Sequence, residues 1–118
     1  MALTALRRYC LAKPGAIEEH PFGPGALVMK IGGRMFAIIG EDSAPITVSL
    51  KCEPEIALAL RDAYASVAPG YHLNKRHWNT VTIDGTIGDE RIREWIDDSF
   101  DLVLAGLPRK VRAEIARL

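Results

Sequence analysis

Leu27-Val28-Met29-Lys30-Ile31-Gly32-Gly33-Arg34-Met35-Phe36-Ala37-Ile38-Ile39 is the stretch that decides the fold. Leu27, Met29 and Ile31 alternate with Val28 and Lys30, the two-residue period of a strand with one buried face. Gly32-Gly33 supplies a two-residue loop in which glycines accept positive φ without a Cβ clash, and Arg34 to Ile39 forms the return strand. The pattern predicts an antiparallel hairpin.

Working outward, Ala16 to Phe22 reads as an irregular edge strand, with Pro21 unable to donate to a ladder and Gly23-Pro24-Gly25 making the turn into the hairpin. Before it, Thr4 is placed to cap a first helix carrying Leu6, Tyr9 and Cys10, which Lys13-Pro14-Gly15 stops. On the other side, Glu41 to Pro45 is a polar turn. Ile46, Val48 and Leu50 then alternate with Thr47, Ser49 and Lys51 as a third meander strand. Pro54 and Glu55 suit the first turn of a second helix, whose Ile56, Leu58, Leu60 and Tyr64 are expected to be its apolar side. Pro69-Gly70 ends that region, and Trp78 to Ile83 is a β-branched strand closed by Asp84-Gly85. Asp89 and Glu90 open a third helix in which Ile92, Trp95, Ile96, Phe100, Val103, Leu104 and Leu107 recur at three and four residues. Gly106 caps it. Pro108 starts a last short helix with Val111, Ile115 and Leu118 inward and Arg109, Lys110, Arg112 and Arg117 in water. This order predicts one α+β domain over residues 1–118, an antiparallel sheet with helices packed on one face.

The 118 residues are 48% hydrophobic and 25% charged, too apolar for disorder and long enough for one core. The N-terminal segment has no signal-peptide pattern, and no apolar run reaches the length of a membrane span. Cys10 and Cys52, the only cysteines, sit among apolar neighbours. Both are expected as buried thiols in a cytoplasmic chain. Net charge is zero, which argues against a strongly basic protein that would coat nucleic acid indiscriminately. The charges are nonetheless segregated, with positive ends flanking an acidic third helix.

Pro69 to Ile83 concentrates aromatic, imidazole, amide and basic side chains. His72 and His77 do not have the spacing of a metal pair with His20 or Cys52, so no metal or cofactor is expected. Neither cysteine has a readable base beside it, no catalytic constellation can be assembled, and a non-enzymatic protein is expected. Ser99 reads as a small residue that permits close packing. Glu94, Asp97, Asp98 and Asp101 read as the solvated face of the third helix, with Arg91 and Arg93 as local partners. In the crowded stretch Lys75 and Arg76 can neutralise phosphates, Asn74 and Asn79 can bond phosphate or base edges, and Tyr71 or Trp78 can stack. Residue chemistry alone favours the plainer alternative, in which Trp78 is core and Tyr71 pins the loop.

Pro69-Gly70-Tyr71-His72-Leu73-Asn74-Lys75-Arg76-His77-Trp78-Asn79-Thr80-Val81 closely resembles the signature of the MmcQ/YjbR-like family, small bacterial proteins held to bind DNA. Similar matches run through Arg8-Tyr9-Cys10-Leu11, His20-Pro21-Phe22-Gly23, Gly33-Arg34-Met35-Phe36-Ala37, Leu50-Lys51-Cys52-Glu53-Pro54-Glu55 and Asp98-Ser99-Phe100-Asp101-Leu102-Val103. The resemblance implies a frataxin-like (CyaY-like) two-layer sandwich with hairpin wings, Gly32-Gly33 being a wing tip. It also implies binding to double-stranded DNA, with Arg34, Lys51, Lys75 and Arg76 on phosphate and His72, Asn74, His77 and Trp78 ordering the surface. It carries no catalytic assignment. Frataxins bear acids on the first helix for iron, whereas this chain has Arg7 and Arg8 there. A monomer without membrane contact is expected, and the alternative is a protein-interaction or small-ligand module using the same loop as a pocket rim.

Overall fold

Each alternating segment has one apolar row to bury, and the rows are buried together by pairing the segments into one sheet. The computed structural model describes all residues, Met1–Leu118. Its elements are α1 (Leu3–Leu11), β1 (Ile17–Glu19), β2 (Ala26–Ile31), β3 (Arg34–Gly40), β4 (Thr47–Lys51), α2 (Pro54–Ala63), β5 (Val67–Pro69), β6 (Trp78–Thr82), α3 (Asp89–Ala105) and α4 (Arg109–Ala116). The six strands lie in the order β1-β2-β3-β4-β6-β5, with every neighbouring pair antiparallel. No helix is long and apolar enough to cross a membrane.

Register aligns Leu27, Ile39, Val48, Val81 and Val67 across five strands, one apolar row on one face. Over that face α3 lays Ile92, Ile96, Phe100 and Val103, and α1 adds Leu6 and Cys10, all buried in one core. Phe36 and Phe100 meet edge to face at 5.2 Å, the geometry that sets a positive ring edge on a negative ring face. The opposite face carries Ser49 and Thr80, whose hydroxyls bond at 2.7 Å across β4 and β6.

The β2–β3 register shifts between Met29 and Lys30, so Met29 faces Ala37 while Lys30 faces Met35. Phe36 is the extra residue of this bulge, and it and Ala37 are both fully buried. A bulge leaves a carbonyl outside the ladder. Ser99, fully buried on α3, donates to the Phe36 carbonyl at 2.6 Å and accepts from the Lys51 amide at 2.8 Å. It is a polar tie between α3 and two strands rather than merely a small packing residue.

Other expectations need correction. The first helix begins at Leu3 with Ala2 as its cap residue and no side-chain cap, so Thr4 lies inside it. Val67–Pro69 is a strand that the sequence pattern did not reveal. In α2 the fully buried residue is Ala57, while Ile56 and Leu58 stand 53% and 63% exposed, because this helix covers only the β5–β6 margin of the sheet. Leu118 is 79% exposed rather than inward. Cys52 is half-buried, unlike Cys10. Asp97 accepts from the Tyr9 hydroxyl at 2.6 Å and forms an ion pair with Lys13, so it clasps α3 to α1 instead of lying on a solvated face.

Candidate functional site

Gly70 decides how the chain enters the loop between β5 and β6. Its amide donates to the Trp78 carbonyl at 2.8 Å, and a Cβ there would lie 2.7 Å from the Trp78 Cβ, so only glycine fits. Next comes His72 with φ +57°, the left-handed region, which costs a non-glycine residue about 1 kcal/mol. Asn74 then turns the chain back, its Oδ1 accepting from the Arg76 amide at 3.0 Å and its carbonyl from the His77 amide at 3.2 Å.

Lys75 does not reach outward. Its ammonium donates to the Gly70 carbonyl at 2.9 Å and closes the loop on itself. From α2, Arg61 completes the closure: Nε donates to Asn79 Oδ1 at 2.7 Å, and Nη2 donates to the carbonyls of Lys75 and, at 3.3 Å, Trp78. The Asn79 amide in turn donates to the Ala57 carbonyl at 3.2 Å. Nothing in the sequence marks Arg61, because a helical arginine between Leu60 and Asp62 looks like an ordinary solvent-facing residue. Asn79 is likewise spent on structure and offers nothing to a nucleic acid.

Beside this loop β4 ends. Lys51 pairs with Trp78, the Cys52 amide donates to the His77 carbonyl at 2.7 Å, and α3 passes with Leu102. Between them lies a cleft of about 380 Å³ lined by Lys51, Cys52 and Glu53 on one side, Asn74, His77 and Trp78 on another, and Leu102. The structure thus brings together four of the eight residues expected in a site: Lys51, Asn74, His77 and Trp78. Within the protein the side chains of Lys51, Glu53 and His77 make neither hydrogen bond nor ion pair, and Asn74 Nδ2 is also free. Burial pushes the Cys52 thiol up, and the nearby carboxylates of Asp98 and Glu53 push it further, so it is not an activated nucleophile.

The other four lie outside the cleft. Arg34 begins β3, separated from β6 by β4, hence about 10 Å away laterally. Its Nη1 donates to the Gly106 carbonyl at 3.0 Å, which ties the hairpin to the end of α3. The hairpin tip is not a free wing on that side, since a Cβ on Gly32 would meet Leu107 at 2.7 Å, although Gly33 is open. Lys75 holds the loop, as described. Arg76 is exposed, and His72 is exposed beside Tyr71, with ring centroids 4.0 Å apart. His72 and His77 therefore do not form a titrating pair in the cleft. Trp78 is only 9% exposed, so the surface aromatic available for stacking is Tyr71, at 72%. His20 bonds Glu41 at 2.7 Å, and no group of three or more His, Cys, Asp or Glu side chains is arranged to hold a metal ion.

The family model YjbR matches residues 11–102, which include the hairpin, the loop and most of α3. The chain belongs to the YjbR family. It is 36% identical over its full length to the whole of the uncharacterised protein YjbR of Escherichia coli K12. It is 39% identical over 104 residues to YbdF of Escherichia coli O157:H7, covering 88% of this chain and 85% of that one. Among solved structures, the Deinococcus radiodurans protein DR2400, a DUF419 domain, superposes with a TM-score of 0.92 at 40% identity over 98% of this chain and 88% of its own. A Pseudomonas syringae protein superposes with a TM-score of 0.75 at 28% identity, covering 86% of this chain and 98% of its own. This six-stranded YjbR-family sheet is therefore also the fold of solved family members.

Proposed function

We propose that this YjbR-family chain is a DNA-binding module that grips the phosphate backbone at the sheet end formed by the start of β3, the end of β4 and the 70–77 loop. The observation that carries this is how the charges are spent. Arg7, Lys13, Lys30 and Arg91 are paired with carboxylates elsewhere in the molecule, whereas Lys51, Arg76 and the α4 residues Arg109, Lys110 and Arg112 have no such partner. Helix α4 starts beside the hairpin tip, where Gly32 abuts Leu107 and Val111. Unpaired cations on the strand end, the loop and the helix beside the hairpin tip make a local positive field on a neutral protein, suited to a polyanion.

Within that field Lys51 and Arg76 contact phosphate, while Arg34, Lys75 and Arg61 hold the frame. Asn74 and His77 present free donors, and exposed Tyr71 and His72 flank them. The test is titration of labelled duplex DNA at low and at physiological salt, wild type beside a Lys51→Ala/Arg76→Ala variant. Each phosphate contact contributes about −0.9 to the slope of log affinity against log salt, so the double variant is expected to be shallower by about 1.8. Absence of binding at low salt by duplex and by single-stranded DNA alike sinks the proposal. The cleft favours a second reading, a small-ligand module with the loop as rim, which predicts binding that ignores salt but is lost on Trp78 replacement.

A further inference from the structure

The cleft is not built for phosphate alone. Lys51 is followed two residues later by the Glu53 carboxylate on the same lining. A phosphate seated deep in the cleft meets the Glu53 carboxylate as well as the Lys51 ammonium. A nucleobase does not have that conflict. A planar base can lie against His77 and Leu102 on the cleft lining, and its edge offers both donors and acceptors to the free Lys51, Asn74 and Glu53 groups. The volume of about 380 Å³ falls at the lower end of small-molecule sites, of the order of one nucleotide unit.

We propose that the cleft receives a single unpaired base bearing an exocyclic amino group, which donates to Glu53, while the flanking phosphates lie on Lys51 and Arg76. This rests on the nucleic-acid reading above and specifies its substrate: single-stranded or locally unpaired DNA in preference to a continuous duplex. Cytosine, whose amino group is a donor that a carboxylate accepts, fits the Glu53 edge. Thymine presents an acceptor at the same place and leaves the carboxylate facing a carbonyl. Glu53 then takes the amino group, Asn74 Nδ2 donates to an acceptor on the same base edge, Lys51 holds a phosphate, and the carboxylate does not face a phosphate.

Fluorescence anisotropy with short labelled oligonucleotides at matched salt separates the outcomes. The expected result is that an oligo-dC strand binds on the order of tenfold more tightly than both a fully paired duplex and an oligo-dT strand. Glu53→Gln, whose amide can donate to thymine, should bring dC and dT together. Arg76→Ala, outside the cleft, should weaken every strand by the same factor. Duplex bound as tightly as dC, or dT bound at least as tightly as dC, overturns the inference and leaves backbone binding standing. Failure of every nucleic acid to bind at low salt removes both. Circular dichroism of the Glu53→Gln variant, expected to match wild type because Glu53 makes no side-chain bond, guards against a folding artefact.

Discussion

Gly70 and Ser99 each do a job that no neighbouring residue can take over. At Gly70 the constraint is space: an alanine Cβ would lie 2.7 Å from the Trp78 Cβ and 3.0 Å from its carbonyl oxygen. Both are fixed by the β5–β6 ladder and cannot swing aside as a flexible side chain would. Gly70→Ala is expected to destabilise by about 1–3 kcal/mol, read as a lower urea midpoint with unchanged slope. At Ser99 the constraint is hydrogen bonding. Its hydroxyl satisfies both the Phe36 carbonyl and the Lys51 amide inside the core. Ser99→Ala leaves both without their partner, so the loss is expected near 2 kcal/mol rather than the few tenths typical of a Ser→Ala change at the surface. Ser99→Cys, similar in size but weak as donor and acceptor, should recover little of it; full recovery would show that volume and not bonding is what matters.

The 70–77 loop behaves as one element because Arg61 and Lys75 bond to its backbone from inside. Arg61→Met keeps the aliphatic stem but removes the guanidinium that reaches Asn79 and the Lys75 and Trp78 carbonyls. Hydrogen exchange of residues 70–78 is expected to speed up by tenfold or more while α3 amides keep their protection, the signature of local opening. Equal acceleration across α3 would show that the clasp supports the whole fold. Elements of this kind were unequally legible in the sequence. The β2–β3 hairpin and α3 were clear because period and end signals agree over many residues, and the core row Leu27, Ile39, Val48 and Val81 follows from that period. Strand β5 was not, because Val67-Ala68-Pro69 is too short to show alternation and ends in a residue associated with turns. In the cleft, Lys51, Asn74, His77 and Trp78 were legible, but Glu53 and Leu102 were not, since they arrive from a helix start and a helix face whose sequence says nothing about what they will meet. The carbonyl contacts of Lys75 and Arg34 are not legible for one reason: a cation's charge is visible in sequence, and the carbonyl it turns back to is not.

At the scale of the whole molecule, the two helices over the sheet are held to each other by a polar clasp that responds to pH. Burial alone would push the Asp97 carboxyl up, but its hydrogen bonds to Lys13 and Tyr9 outweigh that and hold it below the usual range. The hydrogen bond to Asp97, aided by burial, pushes the Tyr9 hydroxyl up to about 12. The signs run opposite ways at the two ends of the scale. A carboxyl depressed in the folded state contributes stability above its unfolded value near 3.9, and that contribution is lost as pH falls through the folded value. A phenol raised in the folded state contributes below its unfolded value near 10, and that contribution is lost as pH climbs towards 12. The Asp97 carboxylate is 38% exposed, so solvent screening limits the clasp to about 1 kcal/mol. Asp97→Asn is expected to lower stability by about that much at pH 7. The gap to wild type should narrow below pH 4, where Asp97 is itself becoming neutral, and again above pH 10, where wild type must hold Tyr9 protonated beside an anion. Urea unfolding followed by tryptophan fluorescence between pH 2.5 and 11 measures the gap directly. A gap that stays constant across that range would mean the Asn variant suffers from packing rather than charge, and that α1 and α3 are joined by their apolar faces alone.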